Sequence, residues 1–218
     1  MAQATVSEFF DSYAGDFDAI YGTKNTMLNR LLNRYLRASM RIRFEKVLAS
    51  CDPIKGKSVI DIGSGPGHFA ISLARKGADH VLGVDFAESM NELATRHAEQ
   101  AGVADRCRFD FGDFLEYEIP EQFDYAVVMG FMDYIADPST VIRKVLLATR
   151  AKAMFSFPAA GGFLAWQRKL RYRKRCELYM YTAAQLEELF SQAGDYSVRI
   201  EPIARDFFVT VTINSSST

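Results

Sequence analysis

The chain has 218 residues, 49% of them hydrophobic, enough for one generous domain that buries a sizeable core without disulfide or metal staples. Twenty-six Lys and Arg against 27 Asp and Glu give a formal charge of −1, which excludes a globally basic nucleic-acid binder. Cys51, Cys107 and Cys176 have no paired spacing for a zinc site or a disulfide framework, so a reducing compartment and no metal are expected.

The N-terminal residues carry acids where a secretory leader would carry a basic region, and no apolar run approaches the ~18–20 residues of a membrane span. A cytoplasmic protein is expected. From Asn25 to Ala49 apolar residues recur at helical spacing, with Leu28, Leu32, Leu36, Met40, Phe44 and Val47 on one stripe and Arg30, Arg34, Arg37 and Arg41 on another face. Short apolar runs then alternate with amphipathic stretches. Ser58–Ile62, His80–Asp85, Cys107–Phe111, Phe123–Met129 and Ala153–Phe157 read as strands, and His68–Lys76, Ser89–Ala101 and Pro138–Thr149 as helices. Such alternation implies an α/β fold with a mostly parallel, doubly wound sheet. The stretch between Phe111 and Phe123 is too short and acidic for a crossover helix. After residues 159–180, Thr182 caps a helix that runs to Ala193 and stops at Gly194. Tyr196–Glu201 and Asp206–Ile213 lie too close together for a crossover and are expected to pair as an antiparallel hairpin.

Ser58–Ile62 runs directly into Gly63-Ser64-Gly65-Pro66-Gly67, after which a helix begins. Glycines let the backbone turn sharply and approach a ligand, and a helix N-terminus offers free amide donors. A dinucleotide fingerprint needs glycine at position 68, where this chain has His68. Asp61, two residues before the first glycine, would repel a pyrophosphate and suit an ammonium group. The ligand expected at this turn therefore carries an amine.

With these residues in place, the sequence resembles the class I S-adenosylmethionine-dependent methyltransferases of small-molecule type, whose first motif is an acid followed by G-x-G-x-G, here Asp61-Ile62-Gly63-Ser64-Gly65-Pro66-Gly67. The resemblance implies a Rossmann-like seven-stranded sheet of order 3-2-1-4-5-7-6 with strand 7 antiparallel, which agrees with the terminal hairpin. It implies that Asp85 binds the ribose hydroxyls, a role suited to a carboxylate with two acceptor oxygens. Phe86 and Met90 would flank the adenine, Gly112, Asp113 and the Phe114 amide would meet its edge, and Met129 and Gly130 would line the methionine arm. Asp85 alone serves equally as a helix cap and Asp113 as a turn residue. The methyl donor becomes S-adenosylhomocysteine.

The family's entrance segment corresponds to residues 1–50, an N-terminal helical lid in which Tyr13 and Tyr21 close over cofactor or substrate, or else staple the lid to residues 51–218. Asp133 and Tyr134, just past the fourth strand, and Tyr21 are the candidate catalytic residues, with packing the competing role for Tyr134. The resemblance implies that the insertion at 159–180, after the fifth strand, is a substrate cap. Residues 151–180 hold 7 basic residues and 1 acidic one. Trp166, Arg168, Arg171, Tyr172 and Arg175 are its candidate contacts with an anionic acceptor, although a solvated charged face has the same pattern.

Methyl transfer to O or N of a small molecule is the expected activity, with a monomer or homodimer and no DNA or membrane partner. An RNA methyltransferase using the basic insertion on phosphates is one alternative, disfavoured by Met129-Gly130-Phe131-Met132 in place of an Asn/Asp-Pro-Pro-aromatic run. A non-catalytic S-adenosylmethionine-binding partner protein is the other.

Overall fold

The computed structural model describes residues 40–161, 178–194 and 196–214. Tyr13, Tyr21, most of the lid, Cys176 and the insertion residues Trp166, Arg168, Arg171, Tyr172 and Arg175 lie outside them.

A helix at 40–50, α1, leads into β1 (Ser58–Ile62), α2 (His68–Arg75), β2 (His80–Asp85), α3 (Glu88–Gln100), β3 (Cys107–Phe111) and β4 (Phe123–Val128). A 3-10 turn at Met132–Tyr134 precedes α4 (Pro138–Leu147), β5 (Thr149–Pro158), α5 (Ala183–Ser191), β6 (Ser197–Ile203) and β7 (Asp206–Thr212). The seven strands form one sheet of order β3-β2-β1-β4-β5-β7-β6, as expected. β1, β2, β3, β4 and β5 pair in parallel, and β7 runs antiparallel to both β5 and β6.

All five residues of β1 are buried, the signature of a parallel strand covered on both faces. Strand alternation divides it between two cores. Ile60 and Ile62 join Val128, Phe155 and Phe157 beneath α4 and α5, which contribute Val141, Val145, Leu186 and Phe190. Val59 joins Val127, Met154 and Phe208 on the other face, under Val47 of α1 and Ala70 and Leu73 of α2. Burial on both faces makes this a doubly wound sheet.

The expected boundaries shift mainly at β5. Thr149 begins that strand instead of ending α4, and the strand runs to Pro158. Its first half carries Arg150 and Lys152, which break any apolar run, and the register with β4 slips by one residue between Phe123 and Tyr125, a bulge that scrambles alternation. β4 ends at Val128 rather than Met129, α2 at Arg75 and α3 at Gln100, differences of the size that helix and strand ends commonly show. Thr182 caps α5 in a reciprocal capping box with Gln185. No helix forms between β3 and β4 among the described residues.

Candidate functional site

The sheet order reverses between β1 and β4, and their carboxyl ends open the crevice in which α/β folds bind ligands. Gly63 and Ser64 donate to the carbonyl of Val84 (2.8 and 3.3 Å), which ties the glycine turn to β2. Two of its glycines are there for different reasons. At Gly63, φ is 67° and an added Cβ would lie 2.9 Å from Phe131 Cδ2, so the absent side chain makes room for that ring. At Gly65, φ is 51° and an added Cβ would meet nothing within 4 Å, which leaves an open cradle above the turn.

Two buried carboxylates hold this cradle from below. Asp85, at the end of β2, accepts from the Gly65 amide (2.8 Å) through Oδ2 and from the Ala87 amide (2.9 Å) through Oδ1. Its bond to Ala87, the N-cap residue of α3, is a local turn bond, and the Asp85 side chain caps no amide within that helix. Asp61 is 1% exposed and accepts from the Ala70 amide in the first turn of α2 at 3.2 Å. Burial, opposed by the bond from Ala70 and assisted by the charge of Asp85, pushes its carboxyl up to about 7. Asp61 thus lies beneath the glycine turn and braces it against the first turn of α2.

The third wall is the turn after β3. Asp113 Oδ1 accepts from the Leu115 amide (2.9 Å), the local bond expected of a turn aspartate. Gly112 packs under the Tyr117 ring. Phe114 is buried and meets Phe131 edge-on, with centroids 6.1 Å apart. Phe86 is half-buried at the start of the next turn, whereas Met90 and Ile62 are fully buried.

Past β4, Met129 is buried and the Gly130 amide donates to Ser156 Oγ at 2.8 Å. Asp133 is 5% exposed, and its carbonyl accepts from the Tyr179 amide at 2.9 Å. Tyr134, beside it, is half-buried. Tyr181 packs edge-on against Phe157 at 5.1 Å. Burial, with the charge of Asp133 next, pushes its phenol up to about 12, so it stays protonated and serves as a donor. Arg43 of α1 bonds Asp206 Oδ2 at 2.5 Å and places Nη1 3.7 Å from where a Gly130 Cβ would be.

The structure therefore gathers Asp61, Ile62, Gly63, Ser64, Gly65, Gly67, Asp85, Phe86, Gly112, Asp113, Phe114, Met129, Gly130, Asp133 and Tyr134 around the carboxyl ends of β1, β2, β3 and β4. His68 and His97 belong elsewhere: their rings stack at 6.2 Å and line a shallow cleft between α2 and α3 with Ile71, Ser72 and Gln100. His97 also reaches the Pro66 carbonyl at 3.1 Å. Sequence reasoning missed Arg43, Phe131, Ser156 and Tyr181. Arg43 lies off the expected arginine face, and the others carry meaning only through partners far away in the chain.

A family model described as a methyltransferase domain matches residues 54–193. The chain belongs to that methyltransferase domain family. Among curated relatives, this methyltransferase domain is 35% identical over 136 residues to the ubiquinone biosynthesis O-methyltransferase of Roseobacter denitrificans, covering 62% of the chain and 52% of that protein. It is 36% identical over 107 residues to the protein of the same name from Neisseria meningitidis serogroup C, covering 48% and 44%. The chain spans about half the length of the curated relatives it matches. Among solved structures, the magnesium protoporphyrin IX methyltransferase of Synechocystis PCC 6803 with bound S-adenosylhomocysteine superposes with a TM-score of 0.79 at 18% identity, covering 97% of this chain and all of that one. That likeness is one of fold. No described helix of this methyltransferase domain is long and apolar enough to cross a membrane.

Proposed function

We propose that this methyltransferase domain transfers the methyl group of S-adenosylmethionine to an oxygen of a small, anionic molecule. The observation that carries the reading is the open cradle at Gly65, with Asp85 bonded to its amide and Asp61 buried beneath, at the reversal point of the sheet. These residues fit the cofactor. Asp85 offers a carboxylate with two acceptor oxygens, which suits the ribose diol, Phe86 and Met90 belong to the base wall, and Asp113 with the Phe114 amide suits the adenine edge. Asp61 suits the ammonium of the methionine end, and the Arg43 guanidinium beside Gly130 suits its carboxylate.

The bound cofactor supplies a methyl group on a sulfonium, open to in-line displacement by an oxygen nucleophile. The protein's part is to align the nucleophile and to exclude water. Asp133 takes the hydroxyl proton where the acceptor arrives protonated, with Tyr134 and the protonated Tyr181 positioning the acceptor. The reading assigns Tyr13 and Tyr21 to shielding the methyl group from water and Trp166, Arg168, Arg171, Tyr172 and Arg175 to recognition of negative charge, which the charge balance of residues 151–180 supports. Among relatives, the name ubiquinone biosynthesis O-methyltransferase supports oxygen as the accepting atom.

Calorimetry with S-adenosylhomocysteine and NAD, followed by methyl transfer to a panel of phenols with and without a carboxylate, tests the proposal. Tight S-adenosylhomocysteine binding and faster turnover of the anionic phenols are expected. Binding of NAD alone, or cofactor binding with no turnover on any phenol, refutes the assignment.

A further inference from the structure

The segment joining β3 to β4 has no helix among its residues 112–122, yet it carries Asp113 and Phe114, which the proposed function assigns to the base. Its internal bonds are few and local. The Glu116 and Tyr117 amides donate to the Asp113 carbonyl at 3.0 and 2.7 Å, and the Tyr117 hydroxyl donates to Asp110 Oδ2 at 2.6 Å. The Gly112 amide ties its start to the Asp85 carbonyl (3.0 Å), and His80 with Glu121 and Gln122 with Leu147 tie its end; its middle is gripped from α4. Lys144, in the second half of α4, sends its ammonium to the carbonyls of Phe114 (2.6 Å), Leu115 (3.0 Å) and Tyr117 (2.6 Å). The same nitrogen lies 5.0 Å from the centroid of the Phe114 ring.

A lysine ammonium has three donors and no acceptor, and here three carbonyls from four consecutive residues receive them. Such convergence curls the turn around a single cation and fixes its peptide planes. The cation is paid for electrostatically: burial lowers its pKa, and the charges of Asp113 and Glu118 oppose that shift. Lys144 therefore holds the backbone of Phe114 next to Asp113.

We infer that Lys144 is the positioning residue of the base-binding turn, setting how strongly the site prefers adenine to a base lacking the exocyclic amine. The inference rests on the proposed cofactor reading. Asp113 accepts only from a base that donates, so a displaced turn loses discrimination and not merely affinity.

Three measurements on the full chain test this. The first two are the Kd values of S-adenosylhomocysteine and S-inosylhomocysteine for wild type, Lys144→Met and Lys144→Arg. The third is hydrogen exchange of the ligand-free proteins. Wild type is expected to prefer the adenine ligand, and Lys144→Met to lose about tenfold of that preference, the equivalent of one lost hydrogen bond. Lys144→Arg keeps the charge but spreads its donors over a planar fork, so it is expected to retain more of the preference than Lys144→Met and less than wild type. In Lys144→Met the Glu116 and Tyr117 amides exchange faster while those of β1 do not, a contrast that also exposes any general unfolding. Equal loss for both ligands, or unchanged exchange at 116 and 117, overturns the role of Lys144 while leaving the cofactor reading intact. Failure of wild type to bind S-adenosylhomocysteine overturns both.

Discussion

Arg43 and Asp206 are 163 positions apart in the chain, yet they meet at 2.5 Å where α1 crosses the start of β7. Their side chains are 12% and 1% exposed, so the pair ties α1 to the start of β7 with little solvent screening. Withdrawing one partner of a buried pair costs about 3–5 kcal/mol because the other charge stays desolvated. Arg43→Met is expected to lose stability in that range by urea denaturation. Arg43→Met combined with Asp206→Asn should recover more than half of it. A double variant as unstable as the sum of the two singles shows that the residues do not act as a pair.

The parts of the site that sequence makes visible are those encoded locally. Gly63, Gly65 and Gly67 follow one strand at fixed spacing, and Asp85 ends the next, so periodicity and turn chemistry suffice to find them. Thr182 with Gln185 is a capping box written within four residues. Arg43, Ser156 and Lys144 acquire roles only when the sheet brings distant elements together, and an arginine or lysine on a helix has the same local signature whether it faces water or three carbonyls. The first half of β5 hides for a related reason: a bulge against β4 and the polar Arg150 and Lys152 erase the alternation that marks a strand.

Gly63 and Gly65 should respond differently to alanine. Both have left-handed φ, which costs an L-residue roughly 1 kcal/mol. Gly63→Ala adds a collision with Phe131 at 2.9 Å, so its loss of stability should exceed that of Gly65→Ala by at least about 1 kcal/mol, the scale of an overpacked site. Gly65→Ala projects its methyl into open space and should instead weaken S-adenosylhomocysteine binding while the fold persists. Thermal denaturation and calorimetry on the two variants separate the effects; equal stabilities would contradict the packing role of Gly63.

Asp133 carries the chemical prediction. Asp133→Asn keeps the shape of a side chain that is 5% exposed but removes the proton acceptor. The expected result is a drop in kcat of about 10²–10⁴-fold with protonated phenols. The Kd of S-adenosylhomocysteine should stay within about twofold, and the deficit should shrink for acceptors already ionised at the assay pH. A uniform deficit across acceptors of different pKa would remove Asp133 from the proton-transfer step.

Asp61 ties the site to pH. Its carboxyl titrates near 3.8 when freely hydrated and near 7 when folded, chiefly because burial disfavours the charge. Between those values the folded protein binds a proton that the unfolded chain has released, so stability declines as pH rises from about 4 to 7 and then levels off. At about 1.4 kcal/mol per unit, the ceiling on this loss is about 4 kcal/mol. Asp61→Asn keeps an oxygen to accept from the Ala70 amide and never ionises. The variant should therefore match wild type in melting temperature at pH 4 and exceed it by several degrees at pH 8. Ligand binding should run the other way: an ammonium needs the ionised carboxylate, so wild-type affinity for S-adenosylhomocysteine should rise up to tenfold per pH unit toward pH 7 and flatten above it. In Asp61→Asn the affinity should be weaker and nearly independent of pH over that interval. A variant whose melting temperature tracks wild type at both pH values would mean that Asp61 is not the buried acid whose charge the fold resists.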